Sequence, residues 1–208
     1  GASRCLFTHG WPIGGYGPLV IFSTSTSYEL YLSSDGSSWD ILSAQGIATQ
    51  KINTWVHYAL TRQGNTIRFF ENGSQTYSTT ISGSLASTTS GTNDIIGIGM
   101  GIGNTYIHNS FYVEDFRYTN GTAVYTSNFT PPTAPLSSTG STLHIKGTDA
   151  SIIDKSQTGN LKLIGNTTGS TTQVKFAGTK SMYFDGTGDY ITTTIDGGLG
   201  SGDFTIDG

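Results

Sequence analysis

Apolar and polar residues alternate over short segments of this chain, and residues that favour turns separate one segment from the next. Residues 53–62 (NTWVHYALTR) show this most clearly, because every second residue from Val56 to Leu60 falls on one face of a strand. Gly64-Asn65 and Asn72-Gly73 follow, and both pairs are strong signals for tight hairpin turns. The pattern predicts a three-stranded antiparallel meander over residues 53–81.

A second alternating segment covers residues 111–118 and predicts another strand. Asp115 and Arg117 share one face of this strand, so we expect the carboxylate to pair with the guanidinium and hold the strand in register. Asn120-Gly121 then turns the chain into a short strand at residues 123–125, which is ended by prolines. No segment shows a convincing 3.6-residue period, and we therefore expect almost no helix.

The composition supports an all-β fold and excludes several classes of function. Of the 208 residues 35% are hydrophobic, only 12% are charged and 29 are glycine, which is typical of turn-rich β structure. The net charge is −4 and no basic patch is present, so we expect no nucleic-acid partner. No apolar run approaches the ~18 residues of a membrane span. The single cysteine, Cys5, cannot form an internal disulfide and is interpreted as a small buried hydrophobe.

Two segments resemble one known family. Residues 111–136 (FYVEDFRYTNGTAVYTSNFTPPTAPL) closely resemble the closing strands of laminin-G-like, concanavalin-A-like domains of phage virion proteins, although Val124 stands where that family often has Arg. Residues 53–73 are similar to the family segment W-x-H-x-A-x-x-R-x-G-N-x-x-x-x-x-x-N-G. The matching residues are Trp55, His57, Ala59, Arg62, Gly64, Asn65, Asn72 and Gly73. The resemblance implies an antiparallel β-sandwich of the concanavalin-A-like jelly-roll type, from a tail-fibre or decoration protein.

The last third of the chain resembles the opening strands of the same family. Residues 180–193 (KSMYFDGTGDYITT) and 202–208 (GDFTIDG) are similar to the family's first strands, which normally precede the rest of the domain. We therefore expect residues 1–136 to be a domain without its first strands, and residues 142–208 to supply those strands after a linker at 137–141. The order is out of register or circularly permuted relative to the family.

Three arrangements satisfy this order, because missing strands would expose unpaired backbone groups and an apolar face. The C-terminal strands can fold back within the same chain, since the termini of a sandwich usually lie close together. They can instead complete a neighbouring copy and form a head-to-tail fibre, so that the partner is the protein itself. In the third arrangement the chain is an excerpt of a tandem array.

Candidate catalytic chemistry is sparse. Retaining glycosidases need two carboxyl groups about 5–5.5 Å apart, whereas Glu114 and Asp115 are adjacent and point to opposite faces of a strand. The four histidines and Cys5 lack the spacing of zinc ligands. We therefore expect no catalytic residues and no enzymatic activity. The alternative is a carbohydrate-active enzyme, a glycoside hydrolase or lyase, on the same fold.

Aromatic residues in loops are the candidate ligand-binding residues, since sugars stack their C–H faces on aromatic rings and hydrogen-bond to polar loop groups. The candidates for carbohydrate binding are Trp11, Tyr16, Trp39, Asn104 and Tyr106. Their alternative role is to cap the ends of the sandwich. Trp55 is predicted to be core.

Calcium is the one cofactor that the resemblance suggests, because many laminin-G-like domains bind it. The resemblance makes Asp185 and Asp189 calcium candidates, although the same residues are suited to turns. The function expected from the sequence is a structural or adhesive module of a fibre or filament at the virion surface or outside the cell. Copies of the protein or tandem repeats, together with cell-surface glycans, are its expected partners.

Overall fold

Seventeen β-strands make up the regular structure in the computed structural model, which describes residues 4–10, 16–87, 95–99, 110–148, 151–156, 160–194 and 199–208. None of these residues lies in a helix, so no membrane-spanning helix occurs among them. The first ten strands are β1 (Arg4–His9), β2 (Leu19–Ser23), β3 (Ser27–Leu32), β4 (Leu42–Thr49), β5 (Tyr58–Gln63), β6 (Thr66–Glu71), β7 (Ser74–Thr80), β8 (Ile95–Ile98), β9 (Ser110–Val113) and β10 (Phe116–Asn120). The remaining strands are β11 (Leu143–Thr148), β12 (Ser151–Asp154), β13 (Lys162–Ile164), β14 (Thr168–Ser170), β15 (Ser181–Asp185), β16 (Tyr190–Thr194) and β17 (Phe204–Asp207).

The strands form two seven-stranded antiparallel sheets and one small sheet. The first sheet has the order β13-β16-β8-β1-β2-β3-β4, and the second has the order β12-β11-β10-β17-β5-β6-β7. The small sheet contains β14, β15 and β9. Non-consecutive strands are therefore neighbours in both large sheets, as in a sandwich with long crossover connections.

The core lies between the two large sheets. Phe7 of the first sheet stacks on Phe116 of the second with ring centroids 5.4 Å apart, and Tyr28 meets Tyr58 edge-on at 5.0 Å. Burial alternates along β3, where Tyr28, Leu30 and Leu32 are buried while the intervening residues are half-buried. This two-residue period directs one face of the strand into the core and the other face outward. The predicted all-β sandwich is confirmed.

The predicted meander is present as β5, β6 and β7, but its first strand is shorter than expected. It begins at Tyr58, and residues 53–57 are not part of a strand. Asn72 and Gly73 both have positive φ, of 48° and 75°, as the turn signal indicated. Gly73 is also required sterically, since a Cβ at this position would lie 1.9 Å from the backbone oxygen of Phe129.

The C-terminal strands pair with strands from the first part of the same chain. β17 lies between β10 and β5 in the second sheet, β16 pairs with β8, and β15 pairs with β9. Their apolar residues belong to the main core, among them the fully buried Met182, Phe184 and Phe204. A segment late in the sequence therefore occupies the middle of a sheet.

The expected single strand over residues 111–118 is wrong. The chain leaves β9 after Val113 and begins β10 at Phe116, and these two strands lie in different sheets. The break lies at Asp115, whose φ is +70°, a conformation that Asp tolerates better than most residues. The short strand expected at residues 123–125 is also absent from the structure. Tyr125 instead accepts a hydrogen bond from the Thr61 hydroxyl at its backbone oxygen.

Candidate functional site

A group of aromatic rings lies on the outer face of the first sheet. We call Tyr16, Phe22, Tyr31 and Trp39 the aromatic patch. Trp39 is 5.1 Å from Tyr16 and 5.4 Å from Tyr31 between ring centroids, and Tyr31 is 5.0 Å from Phe22. All three contacts are edge-to-face, the arrangement that aromatic quadrupoles favour.

The alternation of β2 and β3 explains why the patch forms there. Leu19 and Ile21 of β2 join the main core, whereas Val20 and Phe22 form a separate buried cluster with Cys5. Tyr31 and Trp39 pack against this second cluster from the outside. Burial raises the pKa of the Cys5 thiol well above its usual value, in agreement with its interpretation as a small hydrophobe. The aromatic patch is therefore held on an apolar base of its own.

A loop rich in serine and aspartate positions Trp39. The Asp35 carboxylate accepts hydrogen bonds from the backbone N–H groups of Ser37 and Ser38, at 2.8 and 2.9 Å, and these bonds hold the pKa of Asp35 below its usual value. Asp40 accepts a hydrogen bond from the backbone N–H of Ser34 at 2.8 Å. Both carboxylates accept hydrogen bonds from within the loop, and Trp39 lies between Asp35 and Asp40 in the sequence. These bonds therefore fix the backbone that carries the Trp39 ring.

Glu29 adds a carboxylate beside the rings. The Tyr31 hydroxyl donates a hydrogen bond to Glu29 Oε2 at 3.0 Å. Burial, together with this bond and the charge of Glu29, raises the pKa of Tyr31 to about 12. Gly46 of β4 lies directly opposite Glu29, and nothing lies within 4 Å of where a Cβ would be on Gly46. The carboxylate therefore borders open space on the sheet surface.

Two of the predicted carbohydrate-binding residues meet in this patch. Tyr16, which is 42% exposed, and the half-buried Trp39 are in contact. Trp11, Asn104 and Tyr106 lie outside the described residues. The sequence analysis missed Tyr31 and Glu29, although the alternation in SYELYL places both on the face opposite the buried leucines.

A second candidate site is a cavity of about 150 Å³ between the large sheets. Trp55, predicted to be core, is half-buried and lines it. His57 also lines it, with a side chain only 13% exposed and no hydrogen-bond partner for either ring nitrogen. Burial lowers the pKa of His57, although Asp207, with Oδ2 3.9 Å from Nε2, partly opposes this. The cavity wall is mainly apolar, as the aromatic and aliphatic residues Phe7, Leu60, Phe69 and Val113 show.

Buried ion pairs lie beside this cavity, and their pairing corrects the prediction for Asp115. Arg117 does not pair with Asp115. It donates two hydrogen bonds to the Asp207 carboxylate, from Nε at 2.9 Å and from Nη2 at 2.6 Å. Burial lowers the pKa of Arg117, but the paired carboxylate more than offsets this, so the pKa is above its usual value. The Tyr125 hydroxyl donates a third bond to Asp207 at 3.0 Å.

Asp115 has partners of its own. Its Oδ1 lies 2.5 Å from Nε2 of His144 and 3.3 Å from Nζ of Lys146, and its Oδ2 accepts a hydrogen bond from the backbone N–H of Leu136. Burial raises the pKa of Asp115, but these partners outweigh it and hold the pKa below its usual value. The positive φ that breaks the strand aims this carboxylate at β11.

Glu114 completes the set of carboxylates around the cavity. It is buried, and it accepts hydrogen bonds from the backbone N–H of Lys175 and from the hydroxyl of Thr179. Glu114, Asp115 and Asp207 are therefore each engaged with a different structural partner.

The two calcium candidates serve a turn. The buried Asp189 accepts hydrogen bonds from the backbone N–H groups of Asn166 and Asp185, at 2.7 and 2.9 Å. Asp185 accepts one from the backbone N–H of Thr187 at 2.6 Å. Among the described residues no three histidine, cysteine or acidic side chains are grouped in a way that could hold a metal ion.

Comparison with known families agrees with this architecture. A laminin-G model described as the concanavalin A-like lectin/glucanases superfamily matches residues 2–113, which is more than half of the chain. The protein belongs to the concanavalin A-like lectin/glucanase superfamily. The matched region includes every residue of the aromatic patch and ends with β9, just before the break at Asp115. Neither the curated proteins nor the solved structures contain a significant match to the chain.

Proposed function

We propose that this superfamily member is a non-catalytic adhesive module that binds glycans through the aromatic patch. The observation that carries the proposal is the contact between the exposed Tyr16 and the half-buried Trp39, beside the carboxylates of Glu29 and of the loop at residues 33–40. Rings of this kind present an apolar wall to the C–H face of a sugar, and the neighbouring oxygens accept hydrogen bonds from its hydroxyl groups.

The patch is also suited to binding because it is held in place before any ligand arrives. Trp39 is flanked by two edge-to-face contacts, and its loop is closed by hydrogen bonds to Asp35 and Asp40. A ligand that stacks on a ring already ordered loses little free energy in ordering it. This supports a binding role over simple capping of the sandwich end.

The alternative, a glycoside hydrolase or lyase, receives less support from the carboxylates. Glu114 accepts bonds from Lys175 and Thr179, and Asp115 is paired with His144 and Lys146. Incubation with laminarin, agar, alginate and peptidoglycan is expected to release no reducing ends or unsaturated products. Turnover that disappears in Glu114→Gln would establish the enzymatic alternative.

The wider setting we propose is a phage or extracellular fibre, at the virion or cell surface. It is supported by the resemblance of residues 111–136 to closing strands of phage virion domains. Pairing of β15, β16 and β17 within the chain favours a module that closes on itself in such a fibre. The same strands could complete a neighbouring copy by exchange, which would produce head-to-tail filaments.

Glycan binding is tested with the wild-type protein and two single variants, Tyr16→Ala and Trp39→Ala, on a glycan array. Each stacking ring contributes about 1 kcal/mol, so each variant is expected to weaken binding about fivefold. Tyr112→Ala is the matched control, since Tyr112 belongs to another surface aromatic pair, 4.8 Å from Tyr183. Equal binding by the wild type and both patch variants would refute the proposed site.

A large fall in melting temperature must be distinguished from a loss of binding. Tyr16 is the more informative position because it is the more exposed ring. We expect Tyr16→Ala to change the melting temperature no more than Tyr112→Ala does. If instead Tyr16→Ala unfolds the protein, the ring is structural and the capping interpretation is correct.

A further inference from the structure

We propose that the aromatic patch selects neutral glycans and rejects acidic ones, those that carry carboxylate or sulfate groups. The inference rests on the proposed glycan-binding function and defines its ligand class. It follows from the charged residues of the segment that forms the patch, residues 5–50, because all of these carry carboxylates.

The part of the chain that forms the patch contains no positive side chain. Residues 5–50 include all four rings and have no lysine or arginine, whereas they contain the three carboxylates Glu29, Asp35 and Asp40. The lysines and arginines that the structure pairs lie elsewhere. Lys51 contacts Glu71, Arg117 contacts Asp207, and Lys146 contacts Asp115. A ligand on the patch therefore meets three negative charges and no positive one from residues 5–50.

The carboxylates are close to the surface a sugar would occupy. Asp40 follows Trp39 directly in the chain, and Asp35 precedes Gly36, whose backbone oxygen accepts a hydrogen bond from the N–H of Tyr16 at 3.4 Å. Glu29 accepts a hydrogen bond from Tyr31, whose ring contacts that of Trp39. Each of the three carboxylates is thus on, or next in sequence to, a residue that contacts a residue of the patch.

Glu29 is the residue placed to hydrogen-bond to the ligand directly. Only its Oε2 accepts a bond from Tyr31, and within the described part of the chain Oε1 has no hydrogen-bond partner. The opposing Gly46 leaves open space beside it. An ionised carboxylate can only accept hydrogen bonds, so it suits sugar hydroxyl and amide N–H donors. A sulfate or carboxylate in the same space would be repelled by Glu29 and could not accept a hydrogen bond from it.

The test is an array that presents each neutral oligosaccharide beside its sialylated and sulfated forms on the same linker. The wild type is expected to bind the neutral member of each pair more tightly, and the difference should grow as the salt concentration is lowered. Glu29→Gln keeps the shape of the side chain and removes its charge. It is expected to reduce the preference for the neutral member by about two- to fivefold, the range of a partly exposed charge interaction.

Glu71→Gln is the matched control because Glu71 lies on β6 of the other large sheet, paired with Lys51. It is expected to leave the preference unchanged. Binding of acidic glycans as tight as that of their neutral partners, or a preference that Glu29→Gln does not alter, would overturn this inference while leaving glycan binding intact. Absence of binding to every glycan on the array would overturn the proposed function and this inference together.

Discussion

The ion pair between Arg117 and Asp207 provides the sharpest test of how the chain closes its second sheet. Arg117 on β10 and Asp207 on β17 are direct cross-strand neighbours, and β17 comes from the C-terminal end of the chain. The Asp207 residue is 2% exposed and Arg117 is 9% exposed. Substitution of either residue therefore leaves the other charge buried without its partner.

The expected cost is large compared with the stability of a domain. Removing one member of a buried, hydrogen-bonded pair costs about 3–5 kcal/mol, out of a total of roughly 5–15 kcal/mol. For a chain of this size each kcal/mol lowers the melting temperature by about 2–4 °C. Asp207→Asn and Arg117→Leu are thus each expected to lower the melting temperature by about 6–20 °C.

A double-mutant cycle, measured by urea unfolding with circular dichroism, separates the pair from other effects. The double variant should be destabilised by less than the sum of the two single variants, with a coupling of about 1–3 kcal/mol. Asp203→Asn is the control, because Asp203 adjoins the same strand and accepts a hydrogen bond from the backbone N–H of Gly64 at 2.7 Å, which asparagine can also accept. A coupling below about 0.5 kcal/mol would mean that the two side chains are not in contact, and β17 would not lie beside β10.

Three further predictions concern closure, pH and calcium. Deletion of residues 141–208 removes β17 from between β10 and β5, so the truncated chain is expected to be insoluble or unfolded, and cooperative unfolding of residues 1–140 would contradict this. The pKa of His57 is lower in the folded protein than its ordinary value of 6.5, which it regains on unfolding. Below pH 6.5 the unfolded state therefore binds more protons than the folded state. The free energy of unfolding consequently falls as the pH drops below 6.5, by at most about 1.4 kcal/mol per pH unit. His57→Gln should flatten this part of the curve of unfolding free energy against pH between 7 and 5, and an unchanged slope would show that His57 is not responsible. Asp189→Asn should cost about 1–3 kcal/mol with calcium or with EDTA, whereas a calcium-dependent rise in the wild-type melting temperature that Asp189→Asn abolishes would show that this turn binds metal.

Local patterns in the sequence determined the fold class and the meander. Strands are recognisable where alternation is regular, and the turn between β6 and β7 is recognisable because asparagine and glycine tolerate the positive φ that it needs. The apolar environment predicted for Cys5 follows from its neighbours in the same strand. These features depend on residues only a few positions apart, and a reader of the sequence has all of that information.

The aromatic patch could be predicted in part. Tyr16 and Trp39 stand out as aromatic residues in loops, but their contact depends on a turn at Gly36 that brings two loops together. Glu29 and Tyr31 are outward-facing by alternation alone, yet nothing in the sequence shows that they lie beside Trp39. That neighbourhood is created when the strand and the loop after it fold over the same face of the sheet.

The partners of the buried charges were decided only by the tertiary structure. Alternation placed Asp115 beside Arg117, but the positive φ of Asp115 breaks the strand and turns the two side chains to different neighbours. Asp115 meets His144, 29 residues away, and Arg117 meets Asp207, 90 residues away. A buried charge must find a partner of opposite sign wherever the fold brings one, because burial without a partner costs several kcal/mol. The spacing of residues in the sequence does not show which distant residues will pair. The arrangement of the strands in the sheets determines these pairs.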